Sequence, residues 1–268
     1  MKIESRHLAF IGLAVVVVIA MLVGGRPDLT PSADSVRMHE YIASLAPGSV
    51  VMVSFDHEAS SLPEIGPLAK AFLRHAFSRG VKLVGVSLLA EGTGIGYRLM
   101  EETGREYDCE YGKDFVFLGF KPQWVAAIVA MGESISKTYP EDYLGNTYQD
   151  IPMLAGVVNY SDVAGVVSIA DGSLTTHWME YGHARYGITV SAFVAAAMVT
   201  TYDPYLASGQ MHAMVGGLRG AAEYESLIGV GGSGGRAMLA QTVAHLYVIV
   251  LIILGNVVYF RSRHTGRK

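Results

Sequence analysis

Acidic side chains follow four of the five short apolar runs in the middle of the chain. Asp56, Glu91, Asp171 and Asp203 come after these runs, and Ser208 lies close behind Asp203. If the runs are parallel strands, their carboxyl ends meet at one edge of a sheet, where such sheets bind ligands. An acidic edge suits a cation, an amine or hydroxyl-rich groups better than an unassisted phosphate. The five residues are therefore candidate ligand-binding residues, and the alternative is that they cap the following helices.

Two other patterns at this edge are weaker signals of a cofactor. Asp56, His57 and Glu58 are of metal-binding types, but adjacent strand residues point to opposite faces, so they converge only if the strand has become a loop. Glycines 92, 94 and 96 are spaced GxGxG instead of the GxGxxG of dinucleotide loops. A tight turn with positive φ is the favoured explanation. The sequence therefore predicts no metal site and leaves cofactors and catalytic residues unassigned.

Several other classes of chemistry are disfavoured by motif and charge. Ser233 lies in Gly231–Gly235, which formally resembles a nucleophile elbow, but it precedes an apolar span and does not separate a strand from a helix. The histidines show no HExxH spacing. A net charge of −4, with no basic cluster outside the C-terminal tail, argues against nucleic-acid binding. The single cysteine, Cys109, excludes an intramolecular disulfide.

Short apolar runs alternate with amphipathic stretches throughout the middle of the chain. The predicted strands cover residues 50–55, 81–89, 115–120, 163–170 and 188–199, and the helices that follow them cover about 64–79, 95–103, 123–138, 175–186 and 210–227. Continuous apolar strands joined by helices indicate parallel strands buried on both faces. The predicted fold is α/β: a doubly wound, mostly parallel, five-stranded Rossmann-like sandwich.

The two ends of the chain account for its high apolar content, which is 51% with only 16% charged residues and a mean hydropathy of +0.33. Residues 8–25 and 237–260 are each long and apolar enough to cross a bilayer as a helix. Basic residues flank the outer termini of both spans, which predicts that both termini are cytoplasmic in a bacterial inner or plasma membrane. The alternative for the first span is a cleaved secretory signal, and either way the middle domain is exported.

These assignments divide the chain into seven segments. They are a cytoplasmic N-terminus (1–7), a first transmembrane helix (8–25), a linker (26–35), an exported α/β domain (36–230), a glycine-rich flexible joint (231–236), a second transmembrane helix (237–260) and a basic cytoplasmic tail (261–268).

Small residues are concentrated in the segment between Ser208 and Glu225. Read as one helix with Ser208 as its N-cap, this segment places Ala213, Gly216, Gly217 and Gly220 on one smooth face. Such a face either packs against the domain's own sheet or contacts another subunit.

His245 is a second candidate interface residue, because polar groups within a span favour a contact with another helix over lipid. The alternative for His245 is a neutral, solvated ring near the outer interface.

The runs Gly217–Glu225 (GLRGAAEYE), Pro204–Gln210 (PYLASGQ) and Val53–Asp56 (VSFD) resemble those of an uncharacterised family of bacterial proteins with the same two-span layout. The resemblance implies the architecture over nearly the whole chain and transfers no activity or catalytic residue.

Two functions follow as expectations. The first is a non-enzymatic accessory or assembly subunit of a membrane complex, whose exported domain binds a partner protein or small ligand. Its partners would be the lipid bilayer and other membrane subunits or further copies of the chain, and no nucleic acid. The second is a membrane-anchored enzyme or solute sensor that uses the acidic edge. A deep pocket lined by the carboxylates would favour the second, and an edge occupied by capping contacts the first.

Overall fold

The computed structural model describes residues 5–24 and 29–265. Lys2, Arg26, Arg267 and Lys268, which contribute to the predicted orientation, lie outside the described residues.

The centre of the molecule is a six-stranded parallel sheet in the order β3-β2-β1-β4-β5-β6. Its strands are β1 (Val50–Asp56), β2 (Lys82–Ser87), β3 (Phe115–Phe120), β4 (Gly165–Ala170), β5 (Val190–Val194) and β6 (Ala213–Gly216). All five pairings are parallel. The predicted α/β class and parallel sheet are confirmed. The switch in strand order between β1 and β4 marks the edge where ligands of such sheets usually bind.

The predicted strand count of five is wrong, because β6 lies inside the segment predicted as a helix at 210–227. This strand has four residues, and Ser191 of β5 pairs with Ala213 in its register. So short a run between polar residues and a Gly-Gly pair has no periodicity that separates a strand from a helix. Its pairing with β5 decides the structure.

The helices pack on both faces of the sheet, except for the first and the last, which pack against each other. They are α1 (Ser5–Val23), α2 (Ala33–Ser44), α3 (Leu62–Ser78), α4 (Ala90–Glu106), α5 (Trp124–Glu133), α6 (Ile135–Thr138), α7 (Leu174–His177), α8 (Ala184–Tyr186), α9 (Val199–Ala207), α10 (Gly217–Leu227) and α11 (Gly234–Thr265). A π-helical turn, Trp178–His183, joins α7 to α8. Alternate residues of β1 point to two separate cores: Val53 and Phe55 pack under α3 and α4, whereas Met52 packs on the opposite side with Trp178.

Glycines 92, 94 and 96 lie within α4 and not in a tight turn, so the predicted turn is wrong. None of the three has a positive φ. A Cβ at Gly92 would collide with the carbonyl oxygen of Phe55, and one at Gly96 would come within 2.6 Å of the Phe55 ring. Close packing of α4 on β1 therefore explains Gly92 and Gly96.

Helices α1 and α11 are long and apolar enough to cross a membrane. They run side by side in opposite directions, since Gly24 lies next to Arg236 while the Tyr247 hydroxyl donates a 3.1 Å hydrogen bond to the carbonyl of Ala9. The Tyr247 side chain thus has a hydrogen-bond partner in the other helix. The domain packs on only one end of this pair, where Ala20 and Ala240 are buried.

Candidate functional site

Asp56, at the end of β1, is a buried carboxylate with a relative exposure of 1%. The backbone N–H of Leu88 donates to it at 2.9 Å, and the indole of Trp178 donates at 3.2 Å. Burial raises its pKa to about 6, and these hydrogen bonds oppose the rise. Asp56 can therefore exchange a proton near neutral pH, but it is closed off from solvent.

Polar atoms without a hydrogen-bond partner lie on neighbouring side chains. His57 Nε2 and the Tyr139 hydroxyl are buried and unpaired among the described residues. Proximity to Asp56 adds to the effect of burial in raising the pKa of Tyr139. The π-helical turn that carries Trp178 is a rare backbone form found often at functional sites. Asp56 is therefore the strongest chemical feature of the sheet edge.

Glu91 and Asp171 hold the loop that follows β1. Asp171 Oδ2 accepts a 2.9 Å hydrogen bond from the backbone N–H of Glu58, and Glu91 Oε2 accepts one of 3.3 Å from that of Ala59. These carboxylates come from the ends of β4 and β2, so they connect neighbouring loops and do not cap their own helices. The structure thus brings Asp56, Glu91 and Asp171 to one edge, as the sequence predicts. There, each carboxylate accepts a hydrogen bond from a backbone N–H group.

Asp203 and Ser208 do not join that group. Asp203 is exposed within α9 and has no hydrogen bond or ion pair to any described residue. Ser208 is the C-cap residue of α9, and its hydroxyl donates to the carbonyl of Tyr205 at 3.2 Å. The prediction of Ser208 as an N-cap is wrong, because no helix begins at residue 210.

The four small residues of the predicted smooth face lie in two different elements. Ala213 and Gly216 belong to β6, while Gly217 and Gly220 belong to α10. Gly217 has φ +64°, and a Cβ there would lie 2.8 Å from Ala196. A Cβ at Gly220 would lie 2.8 Å from Val215. The single helical stripe is wrong, and packing within the domain accounts for Gly217 and Gly220.

Three consecutive residues of α10, Glu223 to Glu225, connect the domain to the segments next to both candidate spans. We call residues 223–225 the junction segment. Glu223 is 1% exposed and accepts hydrogen bonds from the Ser32 backbone at 3.0 Å, the Ser35 hydroxyl at 2.9 Å and Arg219 at 2.8 Å. Burial alone would raise the pKa of Glu223, but these hydrogen bonds outweigh it and lower the pKa. Glu223 therefore fixes the start of α2 as an ionised group.

Glu225 performs the same task for α11. Its carboxylate accepts hydrogen bonds from the backbone N–H groups of Gly234 at 2.9 Å and Gly235 at 3.3 Å, which otherwise lack partners at a helix start. A Cβ at Gly232 would collide with this carboxylate, and one at Gly234 would lie 2.8 Å from Ala221. Within the predicted joint, Gly232 and Gly234 therefore leave the space that the Glu225 side chain needs.

Tyr224, between the two glutamates, points into the core beneath α3. Its hydroxyl lies 2.8 Å from Nδ1 of His75, and the His75 ring stacks on His39 of α2 with centroids 4.6 Å apart. Burial, with smaller contributions from the nearby His39 and Arg79, lowers the pKa of His75 to about 4. His75 is therefore neutral at physiological pH.

The sequence drew attention to the GLRGAAEYE run but not to the role of its glutamates. Glu223 and Glu225 were missed because a helix of mostly small residues predicts no distant partner. The signal available in the sequence was the pair of acids within a run of mostly small residues, since carboxylates that become buried require donors.

His245 is exposed on α11 and, with Gln241 one turn before it, has no hydrogen-bond partner among the described residues. Thr242 and Asn256 instead donate to carbonyls one turn earlier in their own helix. Gln241 and His245 therefore form an unpaired polar pair on the surface of a candidate span.

No family model, curated protein or solved structure matches this chain. The resemblance to a bacterial two-span family stays a prediction. Within the described ranges, no three His, Cys, Asp or Glu residues are grouped as metal ligands would be.

Proposed function

We propose that this protein is a membrane-anchored accessory or assembly subunit of a larger membrane complex. The observation that carries the proposal is that Glu223 and Glu225, two residues apart on α10, cap the starts of α2 and α11. Helix α2 is the first helix of the domain after α1, and α11 is the second candidate span. The domain is therefore held against the start of α11, along which α1 packs, and this suits a fixed place in an assembly.

The sheet edge supports this function over an open ligand site. Asp56 is buried, while Glu91 and Asp171 accept hydrogen bonds from the loop at 58–59. Glu64 of α3 closes the next part of the edge by accepting a 2.8 Å hydrogen bond from the Ala196 backbone. Carboxylates engaged in this way are less free to hold a solute.

Gln241 and His245 are the proposed contact with a neighbouring membrane helix. Polar side chains facing lipid are costly, and interhelical hydrogen bonds of this type contribute about 0.6 kcal/mol each on average. In the proposed orientation, the two termini are cytoplasmic. The α/β domain lies on the other side of the bacterial inner or plasma membrane, in the periplasm or outside the cell.

The test is the mass of the tagged full-length protein after gentle detergent extraction from its native membrane. We expect a particle several times the 28.7 kDa of the chain, and a Gln241→Leu/His245→Leu variant should shift part of the protein to lower mass. Val250→Leu, at an exposed apolar position of the same helix, is the matched control and should leave the particle intact. A wild-type protein that runs as a monomer with bound detergent would refute the assembly role.

A second candidate function is an enzyme or solute sensor at the acidic edge. It is favoured by one observation, the buried Asp56 with a pKa raised to about 6 beside the unpaired Tyr139 hydroxyl. Polar groups of this kind are characteristic of sites that transfer protons. If the extracted protein is monomeric and Asp56→Asn alters the binding of a solute found with it, this second function is supported instead.

A further inference from the structure

An apolar groove of about 530 Å³ lies where the two candidate spans meet the domain. Its walls come from five helices that are distant in sequence: Met21 of α1, Leu62 and Pro67 of α3, Leu99 of α4, Leu218 of α10, and Ala237 of α11. The volume falls within the range of ordinary ligand sites. Because two walls are candidate spans, the groove is continuous with the surface that the hydrocarbon of the bilayer would cover.

Cationic side chains stand at the rim of this apolar groove. Lys70 of α3 and Arg98 of α4 line it, and both lie near a single carboxylate, Glu102. The distances are 3.5 Å from Lys70 Nζ and 3.8 Å from Arg98 Nε. Ion pairs this long and exposed are weak. One positive charge at the rim is therefore left uncompensated.

From this geometry we propose that the groove binds one glycerophospholipid of the adjoining leaflet. An acyl chain lies between α3, α4 and the spans, and the anionic phosphate lies between Lys70 and Arg98. The match rests on an apolar interior with a cationic rim, as in sites for lipid headgroups at the membrane surface. The proposal rests on the membrane anchoring of the proposed function, but it needs no partner subunit.

Gly66 is the position from which the groove can be filled. A Cβ there would have only the Leu62 side chain near it, at 4.0 Å, so the helix surface is open at this point. Leucine at position 66 adds a side chain to the groove without a backbone collision. Gly94 of α4 is the matched control, because a Cβ there would meet nothing within 4 Å and the residue does not line the groove.

The experiment uses the full-length protein in nanodiscs that contain phosphatidylglycerol with a photoreactive group on one acyl chain. Cross-linked peptides are then mapped by mass spectrometry. We expect labelling of residues 62–70 and 98–102 in addition to ordinary labelling of the lipid-facing half of α11. Gly66→Leu should reduce the groove labelling by about tenfold, and Gly94→Leu should leave it unchanged.

Removal of two positive charges tests the contribution of the lipid headgroup separately from that of the acyl chain. Lys70→Gln/Arg98→Gln should lower the groove labelling by about 25-fold, since each cation near an anionic lipid contributes a factor of about five. Lys113→Gln/Arg105→Gln is the control at two exposed cations outside the groove. Labelling that survives the first pair would overturn the phosphate assignment.

Two further outcomes separate this proposal from the proposed function. Equal groove labelling in wild type and Gly66→Leu would overturn the lipid site, whatever the size of the native complex. Loss of labelling upon addition of excess inorganic phosphate would identify a soluble anion as the occupant and overturn it as well. A protein that labels in the groove but is monomeric in its native membrane supports the lipid site while refuting assembly.

Discussion

The Glu225 carboxylate accepts a 2.9 Å hydrogen bond from the backbone N–H of Gly234, the first residue of α11. One side chain of the domain thus caps a helix that is long enough to cross a membrane. Glycine at 232 and 234 leaves the space that this carboxylate needs. The contact makes the glycine-rich stretch a defined connection between domain and span.

Removal of this cap should lower the stability of the full-length protein. Glu225→Ala should cost about 1–2 kcal/mol, because it leaves the first N–H groups of α11 without their acceptor. Glu225→Gln should have a smaller effect, since its amide oxygen still accepts one hydrogen bond. The measurement is thermal unfolding in detergent. Glu101→Ala, which removes a partly exposed surface ion pair with Arg105, is the control, and an equal effect of the two alanine variants would contradict the capping role.

Gly92 and Gly94 lie two residues apart in α4 but should respond to alanine with opposite signs. A Cβ at Gly92 would collide with the Phe55 carbonyl oxygen, so Gly92→Ala should destabilise the protein by about 1–3 kcal/mol. A Cβ at Gly94 meets nothing, so Gly94→Ala should stabilise the helix by up to about 1 kcal/mol. Melting temperatures of both variants check this. Shifts of the same sign would mean that α4 does not pack on β1 in this way.

The parallel sheet and the edge formed by Asp56, Glu91 and Asp171 could be predicted from the sequence, because short apolar runs that end in acidic residues and alternate with helical stretches carry a local signal. Strand β6 could not, since four residues have no readable period and its pairing with β5 is a tertiary property.

The roles of the edge and junction carboxylates depend on contacts across the fold. Asp171 contacts the backbone of Glu58, which is 113 residues away, and Glu223 contacts Ser32, which is 191 residues away. Composition and spacing predict that such acids are clustered or cap helices. They do not predict which backbone N–H groups donate hydrogen bonds to them. For the same reason Gly232 and Gly234 looked like a flexible linker, whereas they provide room for Glu225.

Tyr247 and Gly12 are paired across α1 and α11, and this pair should couple the two helices. A Cβ at Gly12 would collide with the Tyr247 hydroxyl, so Gly12→Leu should destabilise the full-length protein. Tyr247→Phe should cost only about 0.6 kcal/mol, the typical value of one interhelical hydrogen bond in a membrane.

A double variant provides the stricter test of this pair. Gly12→Leu/Tyr247→Ala should be more stable than the sum of the two single effects predicts, because alanine vacates the space that leucine enters. Gly255→Leu, at a position of α11 where a Cβ meets nothing, is the control for adding leucine to a span. Strict additivity in thermal unfolding would show that the two residues do not touch.

Asp56 should make the stability of the protein depend on pH in a defined window. Its pKa in the folded protein is raised from 3.8 to about 6, so the folded state holds a proton that the unfolded state has released. The contribution of Asp56 to stability is therefore most favourable below about pH 4 and falls by about 3 kcal/mol as the pH rises through 6. His75 acts in the opposite direction, because its lowered pKa of about 4 makes the protein less stable as the pH falls from 6.5.

The difference between wild type and Asp56→Asn, which both retain His75, isolates the carboxyl group. Measured from about pH 4.5 to pH 7.5, the melting temperature of wild type should fall progressively relative to that of Asp56→Asn. A constant difference across this range would show that Asp56 is not a carboxyl group of raised pKa in the core.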